Sequence, residues 1–524
     1  MNMPQKHATK STSEAANTVT VYSLFREQAR RHPEAVALRY GERKWSYQQL
    51  LQLVEGVAIR LTQLGLTQGD RVAILSENRP EYTVVQLAAA RMGYIVACLN
   101  WRLGEEEQHH CVSLVEPRVL LHSARFKLPA QQLMESRAPY SIACLLLEDI
   151  AHHDHLPETL TDPPEIDPES GLLLLYTSGT TGLPKAALIS HRAEIARMTV
   201  LRLDLKITRD DAYIAWSPMF HMGGTEHTLA SLMFGAMVII TDGLDLPAMI
   251  HAMANYRLGW LLLVPATIEP LLEEMSRRSV RVLGIKCVGC MADLVPGAVI
   301  AQATRRLNAP FLNSFGATET GLPPATGHLI PIGETPNSLS KHASSLCEIR
   351  LLDKAGVEVA NGLPGEVHVR GPTVFSGYWT TDGLNCSDFH KGWFCMGDLF
   401  CKTPAGHFDF VGRTKYLIKS GGENIYPAEI ERVLLADPRI ADAIVVRKAD
   451  PRWGEIPVAF VATNTEDVTV LDIEMLCRRK LAGFKRPKEV RFLALQDFPR
   501  SATGKIIREE LELRLKQEPG ELNQ

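Results

Sequence analysis

The sequence predicts an α/β protein in which a large N-terminal domain, with mixed or parallel sheets flanked by helices, is followed by a small α+β C-terminal domain. From about residue 35 onward, apolar strand patterns alternate with helix patterns, which is typical of βαβ units and parallel sheets. The last hundred residues or so show a different pattern of short strands and short helices. At 524 residues the chain also exceeds what one hydrophobic core usually accommodates.

The first βαβ unit is predicted between residues 71 and 98. Residues 71–75 and 94–98 have the apolar composition of buried strands. Between them, Pro80 suits the first turn of a helix and Gly93 suits its C-terminal end. Two later apolar segments are predicted as further strands, at residues 172–176 and 261–264.

The C-terminal hundred residues are predicted to form a compact module that begins between Gly412 and Gly421. An amphipathic helix is expected over residues 427–435. A second helix is expected over residues 471–482 and should end at Gly483. Short strands are predicted at residues 443–446, 458–461 and 490–493.

Composition and charge exclude several classes of protein. The chain has 56 Lys and Arg against 60 Asp and Glu, for a formal net charge of −4. This balance argues against a strongly basic nucleic-acid-binding protein and against a polyacidic tail. No uncharged apolar run of about 18 residues occurs, so no transmembrane segment is expected. Residues 1–20 lack the apolar centre of a signal peptide and are expected to be a flexible polar lead-in.

The ten cysteines are too sparse for a disulfide-stabilised protein. Cys287 and Cys290 form a C-x-x-C pair, but no second pair or histidine spacing completes a zinc site. We therefore interpret the cysteines as buried thiols in a cytoplasmic protein. Residues 152–155 (His-His-Asp-His) could bind a metal, although a solvated linker is the favoured interpretation for this segment.

The segment Tyr176-Thr-Ser-Gly-Thr-Thr-Gly-Leu-Pro-Lys185 carries the strongest chemical signal. Its glycines let the backbone approach a ligand closely, and its hydroxyls and one lysine can contact an anion, which suits a phosphate or pyrophosphate. It is not a Walker A loop, because the glycines are too close together and a proline precedes the lysine. The alternative is a flexible surface turn. The candidate phosphate-binding residues are Thr177, Ser178, Gly179, Thr180, Thr181, Gly182 and Lys185.

Together with four later motifs, this loop resembles the adenylate-forming superfamily, which includes acyl-CoA synthetases, nonribosomal-peptide adenylation domains and firefly luciferase. The later motifs are Phe315-Gly-Ala-Thr-Glu319, Met396-Gly-Asp398, the stretch from Val411 to Glu429, and Pro499-Arg-Ser-Ala-Thr-Gly-Lys505. The resemblance spans roughly residues 20 to 515. It implies an AMP-binding domain over residues 21–414 and a mobile C-terminal lid domain over residues 415–524.

The resemblance implies an ATP-dependent acid–CoA ligase. A small carboxylic acid would react with ATP, accompanied by Mg²⁺, to give acyl-AMP and pyrophosphate. Coenzyme A would then form acyl-CoA and release AMP. Small and apolar residues in the implied acyl pocket suggest a medium, long or bulky apolar acid, and fatty acid metabolism is one setting. A homodimer is left open.

The implied catalytic residues are Lys505, Thr318 and Glu319. A flexible lysine can offset the repulsion between the two anions that must meet, although a solvated surface lysine is the alternative. Glu319 is the implied magnesium ligand. Asp398 would accept both ribose hydroxyls, and Arg413 would add a ribose contact. Without the resemblance, these would be ordinary ion-pair, turn or strand-end residues.

The resemblance assigns further roles. Phe315, Gly316 and Ala317 would bind nucleotide; His221, Gly289, Cys290 and Met291 would line the acyl pocket; Lys415 would be the hinge; and Gly421 and Gly422 would bind coenzyme A. A structural role for His221 is the alternative.

Other residues stay ambiguous. The basic segment from Lys485 to Lys488 could contact coenzyme A phosphates or be merely solvated. Glu226 and His227 could contact a polar substrate group or begin a solvent-facing helix. The departures from the family pattern are Ala186 after the loop lysine, Met396 in place of a threonine, and Tyr416 after the hinge lysine.

Three other functions remain open. An acyl-AMP ligase could load a carrier-protein thiol, although no fused carrier domain is recognised. A luciferase-type enzyme would oxidise the adenylate. A non-catalytic acyl-nucleotide-binding protein is disfavoured because both Lys505 and Glu319 are present.

Overall fold

The computed structural model describes residues 18–135, 142–151, 162–177, 183–421, 423–500 and 506–517. Most of the predicted lead-in, residues 1–17 of 1–20, and the His-His-Asp-His segment at residues 152–155 lie outside this description. The described helices are α1 Val21–Arg31, α2 Tyr47–Gln63, α3 Pro80–Met92, α4 Glu105–Val115, α5 Lys127–Glu135, α6 Leu147–Ala151, α7 His191–Leu205, α8 Met222–Met233, α9 Leu246–Asn255, α10 Pro265–Arg277, α11 Gly297–Leu307, α12 Pro427–Leu435, α13 Val470–Lys480 and α14 Arg508–Gln517.

The described strands pair into five larger sheets and one two-stranded ribbon. In chain order they are β1 Val36–Tyr40, β2 Arg43–Ser46, β3 Arg71–Leu75, β4 Ile95–Cys98, β5 Val119–His122, β6 Ala143–Leu146, β7 Gly171–Thr177, β8 Lys185–Ser190, β9 Tyr213–Ala215, β10 Val238–Ile240, β11 Leu258–Leu261, β12 Ile285–Val288, β13 Phe311–Leu312, β14 Phe315–Ala317, β15 Gly321–Ala325, β16 Leu329–Ile330, β17 Glu348–Leu352, β18 Pro364–Arg370, β19 Gly377–Thr380, β20 Gly383–Asn385, β21 Phe389–His390, β22 Trp393–Lys402, β23 Phe408–Arg413, β24 Ile418–Ser420, β25 Glu423–Ile425, β26 Ile440–Asp450, β27 Gly454–Thr463 and β28 Glu489–Phe492.

The largest sheet has eight strands in the order β20-β19-β8-β7-β4-β3-β5-β6. Strands β7, β4, β3, β5 and β6 run parallel, whereas β8 and β19 are antiparallel to their neighbours. Helix α3 connects β3 to β4 as predicted. Pro80 is its first residue, and Gly93 closes it with a φ of 74°, in the left-handed region that favours glycine.

Three further sheets complete the N-terminal part. The order β2-β1-β10-β9 and the order β11-β12-β13-β16 each have a parallel centre and one antiparallel edge. The fourth sheet, β17-β18-β22-β21 with β23 also beside β22, is antiparallel throughout. The mixed and parallel sheets expected from the sequence are therefore confirmed.

The C-terminal sheet has the order β25-β24-β27-β26, with β28 parallel to β27. Apolar side chains of α12 and α13, among them Ile430 and Ile473, cover one group of its core residues. Leu511 and Leu515 of α14 cover the other group. These two clusters share no residue with the buried clusters of the N-terminal part, whose last member is Phe408. The α+β character predicted for this part is confirmed.

Several boundaries differ from those predicted. The strand expected at residues 261–264 is β11, which covers Leu258–Leu261. Val264 is instead the N-cap of the helix that begins at Pro265. Helix α13 ends at Lys480, and Gly483 begins a short 3₁₀ helix instead of capping it. The strands expected at residues 443–446 and 458–461 are the longer β26 and β27, which pair along most of their length.

Candidate functional site

The predicted phosphate-binding loop connects two strands of the largest sheet. Strands β7 and β8 pair antiparallel up to the Thr177–Lys185 pair, so the chain reverses between these two residues. The predicted ligands Ser178, Gly179, Thr180, Thr181 and Gly182 lie outside the described residues. Ala186 is a buried strand residue without a positive φ, so an alanine is accommodated there.

Lys185 lies beside a tyrosine and an aspartate that the sequence analysis did not assign. Its Nζ is 4.6 Å from the centre of the Tyr378 ring and 3.9 Å from the carboxylate of Asp388. Tyr378 reaches this position because β19 pairs with β8, with Tyr378 opposite Ala187. The ammonium of Lys185 is thereby held at the base of the loop by one ring face and one negative charge.

Tyr378 also contacts the predicted magnesium ligand. Its hydroxyl donates to Oε1 of Glu319 at 2.6 Å. Burial raises the pKa of Tyr378, and the negative charge of Glu319 raises it further, so the phenol stays protonated and acts as the donor. Tyr378 therefore joins Lys185 to Glu319, and these two residues come from separate motifs. No sequence signal marks this tyrosine, since an aromatic residue in a strand is ordinary.

The nucleotide-binding motif at Phe315 forms a tight ribbon. Strand β14 pairs with β15, and a Cβ at Gly316 would lie 2.0 Å from the carbonyl oxygen of Gly321, so only glycine fits. The backbone N–H of Ala317 donates to Oγ1 of Thr320 at 3.1 Å, which fixes the turn that holds Thr318 and Glu319.

Asp398 and Arg413 form an ion pair across two neighbouring strands. They lie opposite each other on β22 and β23, and Arg413 Nε donates to Asp398 Oδ1 at 2.9 Å. The side chain of Asp398 is 2% exposed and that of Arg413 is 45% exposed. The charge of Asp398 is the largest effect on Arg413 and raises its pKa. The structure thus brings the two predicted ribose-binding residues together.

The Phe315 motif and the Asp398 strand are adjacent. The ring of Phe315 packs edge-on against Phe400 with centres 4.6 Å apart, and Phe400 lies two residues after Asp398 on β22. Met396, on the same strand, is half-buried and offers no hydroxyl where the family has threonine.

The predicted acyl-pocket segment follows β12. Gly289 has a φ of 75°, and a Cβ there would lie 2.2 Å from the Phe311 ring, so the position requires glycine. The indole N–H of Trp260 donates to its carbonyl at 2.8 Å. Cys290 is buried, and its thiol donates to the carbonyl of Leu263.

The next residue of this segment approaches the nucleotide motif. The backbone N–H of Met291 donates to Oγ of Ser314 at 3.3 Å, and Ser314 directly precedes Phe315. His221 is the N-cap residue that precedes α8, and its Nδ1 accepts a hydrogen bond from the N–H of Gly223 at 3.3 Å. This helix-capping contact supports the structural role that was the alternative for His221.

The interpretation of Glu226 and His227 as part of a solvent-facing helix is wrong, because both residues are buried in α8. Glu226 pairs with Arg197, and both side chains are fully buried. His227 lies between Tyr213 and Trp260, with ring centres at 5.6 Å and 4.3 Å. Burial lowers the pKa of His227 to about 3, so this imidazole is neutral at pH 7.

The predicted hinge contacts the C-terminal helix. Lys415 lies in a short 3₁₀ helix, Thr414–Tyr416, and its Nζ donates to Glu509 Oε1 at 3.1 Å. The hydroxyl of Tyr416 donates to the same oxygen at 3.1 Å, so the unusual residue after the hinge lysine shares its partner. Glu509 follows Lys505 by four residues, and Lys505 itself lies outside the described residues.

The predicted coenzyme A contacts are only partly described. Gly421 has a φ of 58° and donates its N–H to the carbonyl of Trp453 at 2.8 Å, and Gly422 lies outside the described residues. In the basic segment, Lys485 pairs with Glu429 at 2.8 Å and Arg486 donates to a carbonyl at the end of α13. Lys488 is exposed.

All ten cysteines lie in the described residues, and none forms a disulfide. The expectation that they are buried holds for only half of them, since Cys386 is exposed and four others are half-buried. Cys287 directs its thiol to the carbonyl of Gly259, so the C-x-x-C pair is not arranged around a metal. Within the part of the chain described, no helix is long and apolar enough to cross a membrane.

Comparison with known proteins identifies two family matches. Residues 25–379 match the AMP-binding enzyme family, and residues 429–505 match the AMP-binding enzyme C-terminal domain. An indoleacetate–CoA ligase of Aromatoleum aromaticum is 32% identical over 91% of this chain and 95% of its own length. A 2-succinylbenzoate–CoA ligase of Bacillus cereus is 30% identical over 91% of this chain and 95% of its own length.

The fold agrees with these matches. The structure is similar to the o-succinylbenzoate CoA synthetase of Bacillus subtilis in complex with its acyl-adenylate intermediate, with a TM-score of 0.78 and 25% identity over 93% of this chain and 97% of that chain. The same enzyme in complex with ATP and a magnesium ion gives a TM-score of 0.78 at 25% identity, over 93% of this chain and 98% of that chain. The chain therefore belongs to the AMP-binding enzyme family of the adenylate-forming superfamily.

Proposed function

We propose that this protein is an AMP-forming acid–CoA ligase, which converts a carboxylic acid, ATP and coenzyme A into acyl-CoA, AMP and pyrophosphate through an acyl-AMP intermediate. The observation that carries the proposal is the contact of Lys185 and Glu319 with the same Tyr378 side chain. Through Tyr378, Lys185 at the base of the phosphate loop is connected to Glu319, the proposed magnesium ligand. The relatives that match over nine-tenths of the chain are acid–CoA ligases by name.

In the first step, a carboxylate oxygen attacks the α-phosphorus of ATP and pyrophosphate leaves. Both reactants are anions, so the step needs positive charge close to the reacting phosphate. Lys185 supplies one such charge from β8, and we assign a second to Lys505. Asp398 would accept the ribose hydroxyls, Arg413 would hold that carboxylate in place, and Thr318 would contact the α-phosphate.

Glu319 fits a magnesium ion that accompanies ATP. Mg²⁺ prefers a small number of carboxylate oxygens together with phosphate oxygens. Tyr378 donates to Oε1 of Glu319 and so holds this carboxylate in a defined orientation. When bound, the ion would neutralise part of the triphosphate charge.

In the second step, the thiol of coenzyme A attacks the acyl-AMP carbonyl and AMP leaves. We assign residues 21–414 to the AMP-binding domain and residues 415–524 to a mobile lid, with Lys415 as the hinge. The separate buried clusters on either side of residues 409–417 support this boundary. Turning of the lid would exchange Lys505 for Gly421 and Gly422 at the cleft, so that one cleft serves two reactions.

We further propose that the acid is bulky and aromatic. The segment at Gly289 packs against the buried rings of Trp260 and Phe311, so the support behind the proposed acyl pocket is apolar and aromatic. The nearby His227 is neutral at pH 7. The named substrates of the two relatives, indoleacetate and 2-succinylbenzoate, are aromatic acids, which favours an aryl acid over a long-chain fatty acid. Cytoplasmic location and a homodimer stay predictions.

The proposal is tested by supplying the enzyme with ATP, Mg²⁺, coenzyme A and a panel of aryl and fatty acids, and measuring pyrophosphate and AMP. We expect acid-dependent pyrophosphate release with at least one aryl acid, and AMP release that requires coenzyme A. Lys505→Ala should abolish pyrophosphate release but spare ATP binding, whereas Lys516→Ala, at an exposed position of α14, should change neither. Failure of every acid to give AMP would refute the proposal. AMP release that requires a carrier-protein thiol would identify a carrier-loading ligase instead.

A further inference from the structure

Three side chains of metal-binding types share one face of the β18–β22 strand pair. Glu366 and His368 are two residues apart on β18, so they point to the same face. Cys395 lies directly opposite His368 on β22. One donor atom from each of the three residues lies within 4.8 Å of the other two. Among the residues that the structure describes, no other trio of His, Cys, Asp and Glu meets this condition.

The imidazole of His368 lacks a partner on one side. His368 is 8% exposed, and its Nδ1 has no hydrogen-bond partner in the described part of the chain. A buried nitrogen without a partner is unfavourable, because it gives up its hydrogen bond to water and gains none in return. A metal ion held at Nδ1 would give this nitrogen the partner that the described protein atoms do not.

The thiol of Cys395 and the carboxylate of Glu366 lie within 4.8 Å of each other. Burial first, and then the neighbouring Glu366, raises the pKa of Cys395 to about 12, so without a metal the thiol keeps its proton. A divalent ion would take the place of that proton, leaving a thiolate and a carboxylate that together balance its charge. Binding would therefore release one proton per metal ion.

Two arginines lie close to the three side chains, and they favour a metal complex that has no net charge. Arg350 lies opposite His368 on β17, and its guanidinium stacks on the Trp393 ring at 4.5 Å. Arg370 stacks on the same ring at 4.5 Å and pairs with Glu348. These cations oppose an unbalanced divalent charge, so occupancy requires both anionic ligands.

We propose that Glu366, His368 and Cys395 form a binding site for a divalent transition-metal ion such as Zn²⁺, separate from the magnesium that accompanies ATP. One sulfur, one nitrogen and one oxygen donor suit zinc, whereas magnesium avoids sulfur. Zinc bond lengths place tetrahedral donors about 3.5 Å apart, so donor pairs that are up to 4.8 Å apart must move closer on binding. All three residues lie on the paired strands β18 and β22, whose register shifts between Glu366 and His368.

The test uses the full-length protein, stripped of metal and titrated with Co²⁺ in the presence of excess Mg²⁺. We expect one saturable equivalent with a sulfur-to-cobalt charge-transfer absorption, which Zn²⁺ then displaces. Cys395→Ser should remove this absorption, and His368→Ala should weaken binding at least tenfold. Cys401→Ser is the matched control, because Cys401 is a half-buried thiol on the same strand, and it should bind as the wild type does.

X-ray absorption of the Zn²⁺-loaded wild-type protein gives an answer that does not depend on whether the variants fold. A zinc shell with one sulfur and the remaining donors nitrogen or oxygen supports the site. An all-sulfur shell would overturn the proposal. So would the absence of saturable Co²⁺ binding by the wild type, or an absorption that Cys401→Ser removes as fully as Cys395→Ser.

Discussion

The hydroxyl of Tyr378 donates to Oε1 of Glu319 at 2.6 Å, across 59 residues of sequence. The same ring carries the ammonium of Lys185 on its face, with 4.6 Å between the nitrogen and the ring centre. One side chain therefore positions a cation and an anion that come from different motifs. If both charges act at the triphosphate as proposed, Tyr378 is the residue that positions them.

Tyr378→Phe should lower kcat/KM for ATP roughly tenfold, because a hydrogen bond to a charged group is worth about 1.5 kcal/mol or more. The measurement is pyrophosphate release at varied ATP and Mg²⁺, and we expect a higher Mg²⁺ requirement in the variant. Tyr40→Phe, at a half-buried position in a different sheet, is the control. Equal losses in both variants, or none in Tyr378→Phe, would show that the contact does not position Glu319.

Asp398→Asn should weaken ATP binding by about tenfold to a hundredfold, because a neutral amide holds ribose hydroxyls and Arg413 less strongly than a carboxylate does. Isothermal titration with ATP measures this effect without requiring turnover. Asp409→Asn, on the adjacent β23, removes a carboxylate that contacts Ser340 and should leave ATP affinity unchanged. Wild-type affinity in Asp398→Asn would exclude a ribose contact at this position.

Glu509→Gln should loosen the contact between the C-terminal helix and the hinge, since it weakens the bonds from both Lys415 and Tyr416. A half-exposed pair of this kind is worth up to about 1 kcal/mol, so the change in population is at most about fivefold. If Lys415 is the hinge, the rates of adenylate formation and of thioester formation should shift in opposite directions. They can be measured separately in single-turnover experiments.

Glu510→Gln is the control for this variant, because Glu510 is the exposed neighbour of Glu509 on α14. It should leave both half-reactions at their wild-type rates. Parallel changes of the two rates in Glu509→Gln would argue against a role for this contact in domain rotation.

His227 should make the stability of the protein depend on pH. Its pKa is about 3 in the folded state and near 6.5 when unfolded, so between these values the unfolded state binds more protons. Stability is therefore complete above pH 6.5 and falls as the pH decreases, by about 1.4 kcal/mol per unit for one group. His191, whose pKa burial lowers to about 4, acts in the same direction.

His227→Phe should reduce the loss of stability between pH 6.5 and 5 by up to about 2 kcal/mol, because the phenylalanine ring cannot take up a proton. Urea unfolding at each pH, followed by tryptophan fluorescence, measures the effect. His251→Gln changes an exposed histidine and should keep the wild-type pH dependence. An unchanged slope in His227→Phe would mean that the buried imidazole does not resist protonation.

Local patterns were sufficient for much of the fold. Pro80 and Gly93 bound α3 as predicted, because each has a backbone preference that acts within one or two residues. The strand predicted at residues 261–264 lies three residues earlier, at Leu258–Leu261. The apolar residues continue beyond this strand to Val264. Periodicity alone cannot separate the end of a buried strand from the residues leading into a helix.

The sequence by itself determined the order of the motifs, the alternation of strands and helices, and the residue types available for binding two anions, because these follow from local preferences and side-chain chemistry. Only the tertiary structure decided which distant residues meet. The Tyr378–Glu319 bond, the buried Arg197–Glu226 pair and the Cys395–His368 pairing all depend on strand register and helix packing. Strand register and helix packing depend on how the whole chain buries its apolar residues, so they cannot be predicted from any single segment.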